Sequence, residues 1–123
     1  MIDAERGGNS LLEAIGDSDD VAVAAITVAE LRVGVQMAKG ARRKKRAQFA
    51  TAVLDAVAIE PYDLQTAEAH AALLAHVRRT GTPRGAHDLI IAATARARDR
   101  EVVSLDRGGF AKLPGVFLAD SLT

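Results

Sequence analysis

The stretch VAVAAIT, residues 21–27, constrains this fold more than any other. It is apolar at six consecutive positions. A strand with one wet face alternates apolar and polar residues, whereas an unbroken apolar run fits a strand buried on both faces of a parallel sheet. Such a strand requires helices on either side. VAELRVGVQMAKG supplies one, ending at Gly40, and ARRKKRAQFATAVLDAV supplies another, with Phe49, Val53 and Val57 recurring every four residues. AIEPY reads as a short strand closed by Pro61, and residues 64–79 as an amphipathic helix carrying Leu73, Leu74 and Val77. TGTPRGA is a loop. A helix beginning near Asp88, the strand EVVSL, a loop at DRGGFAKLPG and a last strand VFLA complete the series, and NSLLEAIG upstream reads as a short helix. Strands alternating with helices give an α/β parallel sheet with right-handed crossovers. At 123 residues this is one domain, residues 1–123.

Composition narrows the chemistry. Lys+Arg and Asp+Glu balance at 16 each, so no overall basic field marks a nucleic-acid binder, and any phosphate must be met locally. The absence of cysteine excludes disulfide frameworks, thiolate nucleophiles and Cys-rich zinc sites, and suits a reducing cytoplasm. No apolar run approaches the roughly 20 residues that span a membrane, and no secretory leader is visible, so a cytoplasmic protein is expected. No GxGxxG, Walker A or nucleophile-elbow motif is present.

The carboxylates are more informative. In an open α/β sheet, ligands bind where strands end and helices begin. Glu30 lies three residues beyond VAVAAIT, Asp88 opens a helix that leads back to EVVSL, and Asp106 directly follows that strand. All three fall on one sheet edge, although 58 and 18 positions separate them in sequence. Clustered carboxylates repel unless a cation neutralises them, and an all-oxygen set suits Mg2+ or Mn2+. Each acid also has a plainer reading. Thr27-x-x-Glu30 fits a capping box, Asp88 fits a partner of the helix dipole worth about 0.3 to 1 kcal/mol, and Asp106 fits a turn ahead of Arg107, Gly108 and Gly109. Their joint placement favours a site.

Other polar residues carry less. His70 and His76 are six apart, a spacing that does not share a helix face. His87, beside Asp88, is placed to touch substrate or orient a water, with a neutral surface role the stronger reading. RRKKR, residues 42–46, runs around a whole helix circumference and reads as a solvated face. Arg84, in the TPRGA loop, lies nearer the acidic edge and is the better phosphate contact.

ITVAELRVGV, HDLIIAATARARDREVVSLD and GGFAKLPGV, in this order and spacing, resemble the PIN-domain ribonucleases, specifically the VapC toxins of bacterial VapBC toxin–antitoxin pairs. The resemblance covers essentially the whole chain. It implies a PIN-like three-layer fold, a sheet of about five parallel strands flanked by helices. It also implies an acidic pocket that binds Mg2+ or Mn2+ and hydrolyses RNA phosphodiesters. Carried over by position, Glu30, Asp88 and Asp106 are the catalytic and metal-binding acids, and Thr27 lines the pocket. His87 stands where relatives frequently have Asn, and Gly109 where many have a further Asp. The partners implied are a VapB-type antitoxin, RNA and a second copy of the chain as a homodimer. Relatives open with a strand ending in DTS, whose Asp is a metal ligand, and MIDAERGG resembles the residues just after it. The resemblance therefore implies either a first strand upstream of Met1 or a partner that fills its slot, since buried unpaired backbone groups cost on the order of 1 to 3 kcal/mol each. Two rival readings are a PIN scaffold that binds antitoxin or RNA without efficient cleavage, and another Mg2+-dependent α/β enzyme such as a phosphatase.

Overall fold

The computed structural model describes residues 21–103 and 107–119. The sequence features assigned to residues 1–20, including NSLLEAIG and the expected first strand, lie outside the described residues, as does Asp106. β1 (Ala22–Ala24) is fully buried and runs directly into α1 (Ala25–Met37). After Ala38 and Lys39 the chain enters α2 (Gly40–Ala56) and then β2 (Ala58–Glu60). β2 pairs with β1 in parallel, in the register Ala22–Ala58, Val23–Ile59, Ala24–Glu60. α3 (Leu64–Thr80) and α4 (Ala86–Ala97) follow. Val102 then forms a parallel bridge with Leu118, fixed by Val102 N–H to Phe117 O at 2.8 Å and Ala119 N–H to Val102 O at 2.9 Å.

The two faces of β1 explain its unbroken apolar run. Ala22 and Ala24 face a core built from Ala69, Leu73 and Val77 of α3, Leu89, Ile91 and Ala92 of α4, and Val102, Phe110 and Leu113. Val23 faces the opposite core, with Val53, Phe49 and Leu54 of α2, Val28 and Leu31 of α1, and Val103. Helices therefore lie on both sides of the parallel strands. Small alanines on one face let the α3–α4 pair approach closely, and the interior position of α4 follows from its run Ile91–Ala95, buried without interruption.

Several elements differ from the sequence expectation: AIEPY is a strand only as far as Glu60, and among the described residues EVVSL and VFLA meet only in the Val102–Leu118 bridge. β1 ends at Ala24 rather than Thr27, because an apolar run reads equally as a buried strand or a buried helical turn. Gly40 does not stop α1; it opens α2 at φ +59°, and α1 ends at Met37. The end of α3 follows expectation closely. Asp63 accepts a hydrogen bond from Thr66 N–H at its start, and Gly81 closes it in the left-handed region, at φ +64°.

Candidate functional site

α3 and α4 form an antiparallel hairpin, so each end of α4 meets a different group of polar residues. At its C-terminal end Arg98 donates through Nε to Glu60 Oε2 at 3.1 Å, through Nη1 to Gln65 Oε1 at 3.0 Å, and through Nη2 to Asp63. Arg100 Nη2 also reaches Glu60, at 3.2 Å. The Asp63 carboxyl is held below the usual carboxylate range, first by the Thr66 N–H it accepts and then by Arg98, while Asp63 raises Arg98. This cluster ties the end of β2 and the start of α3 to the end of α4. It is an architectural clamp that sequence reading missed, because Arg98 lies 33 to 38 positions from its partners.

The other end of α4 carries Asp88. Asp88 stands in its first turn behind the N-cap Gly85, where a carboxylate favours the positive end of the helix dipole. Gly85, Ala86, His87 and Asp88 line an open depression of about 350 Å³. Glu30 comes to this end from α1. Its Oε1 lies 3.8 Å from His87 Nδ1, with Glu30 about one-quarter exposed and His87 57% exposed. Two residues 57 positions apart in sequence thus meet at the mouth of α4.

α1 begins at Ala25, so Glu30 lies in its second turn and Thr27 is already helical. The capping box read from Thr27-x-x-Glu30 does not form: the N-cap is Ala24, without a side-chain bond. Thr27 is 1% exposed, and its Oγ1 has no hydrogen-bond partner among the described residues. A buried hydroxyl left in that condition costs on the order of 1 to 3 kcal/mol. Thr27 and Glu30, three apart, share one face of α1.

Arg84 sits beside this end in the loop before α4. Its Nη1 donates to Thr82 O at 2.8 Å and Pro83 O at 3.3 Å, and its Nη2 to Ala111 O at 3.0 Å, so the guanidinium braces two loops. His70 accepts no site role: it bonds Tyr62 Oη through Nδ1 at 2.7 Å at the far end of α3, and burial pushes its pKa down. Arg42, Arg43, Lys44 and Lys45 are exposed, and Arg46 donates to Gly34 O at 3.2 Å, linking α2 to α1.

The donors offered at the mouth of α4 are carboxylate oxygens and one imidazole, a set whose chemistry fits a hard or borderline divalent ion. Among the described residues no three His, Asp or Glu side chains are gathered closely enough to hold an ion. Glu30 and His87 approach one another, Asp88 adjoins His87 in sequence, and Asp106 lies outside the described residues.

Comparison with known proteins places this arrangement. Residues 1–116 match the PIN domain family. Toxin FitB of Neisseria gonorrhoeae is 34% identical over 96 residues, 75% of this chain and 69% of that protein. The structure of VapBC-5 from Mycobacterium tuberculosis, a member of the VapBC family of toxin–antitoxin systems, superposes with a TM-score of 0.73 at 34% identity, covering 87% of each chain. DNA-bound VapBC from Salmonella typhimurium shares the fold, with a TM-score of 0.79 at 24% identity over 90% of this chain and 83% of that one. With its helices on both sides of parallel strands and Glu30 and Asp88 at the mouth of α4, the chain belongs to the PIN-domain family, among its VapC-type members.

Proposed function

We propose that this protein is a metal-dependent endoribonuclease acting in the cytoplasm as the toxin of a toxin–antitoxin pair. The observation that carries the reading is the approach of Glu30 to His87 at the N-terminus of α4, which brings α1 to the helix that presents Asp88. Glu30, Asp88 and Asp106 would hold Mg2+ or Mn2+. Such an ion lowers the pKa of a bound water and neutralises charge on a phosphodiester under in-line attack.

The chain's own groups prepare that chemistry. The N-terminus of α4 directs its partial positive charge into the depression, favouring a phosphate there. By its position in the family motif Thr27 would line the pocket from α1; its buried hydroxyl has no hydrogen-bond partner among the described residues. Arg84, although its Nη donors are bonded to carbonyls, leaves a full positive charge beside the loop, which favours an RNA backbone. With aromatic residues at only 3%, target choice rests on RNA shape and backbone contacts rather than on a stacking platform.

A VapB-type antitoxin is the expected protein partner, because the similar structures include VapBC complexes, and a homodimer is the expected toxin form. The test is cleavage of a mixed RNA substrate with Mg2+ or Mn2+, comparing the chain with its Asp88→Ala variant. The expected result is metal-dependent cleavage that Asp88→Ala abolishes while the chain still melts cooperatively, with stability lowered only by about the 0.3 to 1 kcal/mol of a lost helix-dipole partner. Full cleavage by Asp88→Ala overturns the site, and RNA or antitoxin binding without any cleavage identifies a non-catalytic PIN scaffold instead.

A further inference from the structure

We propose that the α1–α2 hairpin is a cationic arm that grips the RNA backbone away from the cleavage site, through Lys39, Arg42 and Arg46. This rests on the ribonuclease reading above and names how that substrate is held. Charge is strongly segregated along the chain. Residues 31–54 hold seven of its sixteen Lys and Arg, namely Arg32, Lys39 and the run 42–46, and none of its sixteen Asp and Glu. Among the described residues none of the seven forms a salt bridge, so no neighbouring carboxylate there offsets their field.

Packing makes these charges an arm. α2 joins the core only from Phe49 onward, where Phe49, Val53 and Leu54 pack with Val23 of β1. Residues 39–46 are exposed at every position, roughly 10 Å of helix with no buried face. β1 runs straight into α1, and β2 pairs with β1 in parallel, so α2 must return past the sheet. Its first two turns therefore overshoot the edge at which β1 ends and the helix of Glu30 begins. α1 rises about 10 Å between Glu30 and Met37, a span that a few nucleotides cross.

Lys39, Arg42 and Arg46 follow at i, i+3 and i+7 and share one face. With Met37 and Ala38 they line a hollow of about 330 Å³, in which Arg46 is steadied by its bond to Gly34 O. The placement works against the fold. α2 has no acid in its first turn and no side-chain cap, and cations at that end oppose the helix dipole. Residues that break a local rule in this way point to a task outside stability. Guanidinium forks match phosphate oxygens, and residues 31–48 include no aromatic ring on which a base could stack, so the contacts are with the backbone. An acidic polypeptide would meet the same charges, but the arm stands on the edge that carries Glu30, along the path of the substrate.

The test is fluorescence anisotropy of a labelled RNA hairpin with the full chain in EDTA, across a series of salt concentrations. The native protein is compared with Lys39→Gln/Arg42→Gln and with Arg78→Gln/Arg79→Gln, which removes equal charge from the exposed end of α3. Lys39→Gln/Arg42→Gln is expected to weaken RNA binding roughly tenfold and to flatten its log–log salt dependence by about 1 to 2, while melting no lower than the native chain. The α3 variant is expected to change affinity by less than roughly twofold. Equal losses in both variants, or no loss in the first, overturn the arm, as does absence of RNA binding by the native chain. Displacement by polyglutamate more readily than by unlabelled RNA of equal charge assigns these residues to an acidic protein and overturns it too. Arm-dependent RNA binding by a native chain that cleaves nothing with Mg2+ or Mn2+ leaves the arm standing and removes the ribonuclease reading instead.

Discussion

Asp63 performs two tasks with one carboxylate: it caps α3 through Thr66 N–H and receives Arg98 from the end of α4. Both partners favour its ionised form, and its pKa is lowered from 3.8. A carboxylate depressed on folding contributes stability that is complete above the unfolded value and is lost as pH falls through the folded one. Asp63→Asn is therefore expected to lower the melting temperature at neutral pH, with the difference from the native protein shrinking as pH drops below about 3.8, measured by thermal denaturation across pH. The helix that Asp63 caps was legible in sequence from its apolar period. The second task was not. Arg98 reads as a surface cation at the end of an apolar helix, and only the hairpin brings Glu60, Asp63 and Gln65 to it. Thr27 shows the converse error, since Thr-x-x-Glu satisfied a local pattern that the strand-to-helix junction at Ala24 made irrelevant.

Among the elements, α3 and α4 carry the larger core. Leu73 is fully buried between α3, α4 and β1, and truncating it removes contacts from all three. Leu73→Ala is expected to cost roughly 2 to 5 kcal/mol in urea denaturation. Apolar periodicity made these helices legible to within a residue or two, because the face that buries them is the face that repeats. The junction of β1 with α1 was harder. Ile26 faces the α3–α4 core while Val28 and Leu31 face the α2 core, so Ala25 and Ile26 continue the apolar run of β1 into the helix without a polar break. The placement of Glu30 and Asp88 at one end of the fold could be anticipated from topology alone. The proximity of His87 to Glu30 could not, since it depends on the tilt of α4 against α1.

At the scale of the whole molecule, β1 is the member that both cores share, and α4 is the helix with the longest buried run. Amides in β1 and α4 are expected to exchange last in hydrogen-exchange measurements, and those of β2, which is exposed at Ala58 and Ile59, well before them. Faster exchange in β1 than in β2 would contradict this ordering. Arg84 adds a consequence of a different kind. By bonding Thr82 and Pro83 on one side and Ala111 on the other, it joins the loop that launches α4 to the segment that follows Asp106. One side chain therefore holds the two loops at a fixed spacing, so the start of α4 is braced from outside its own helix.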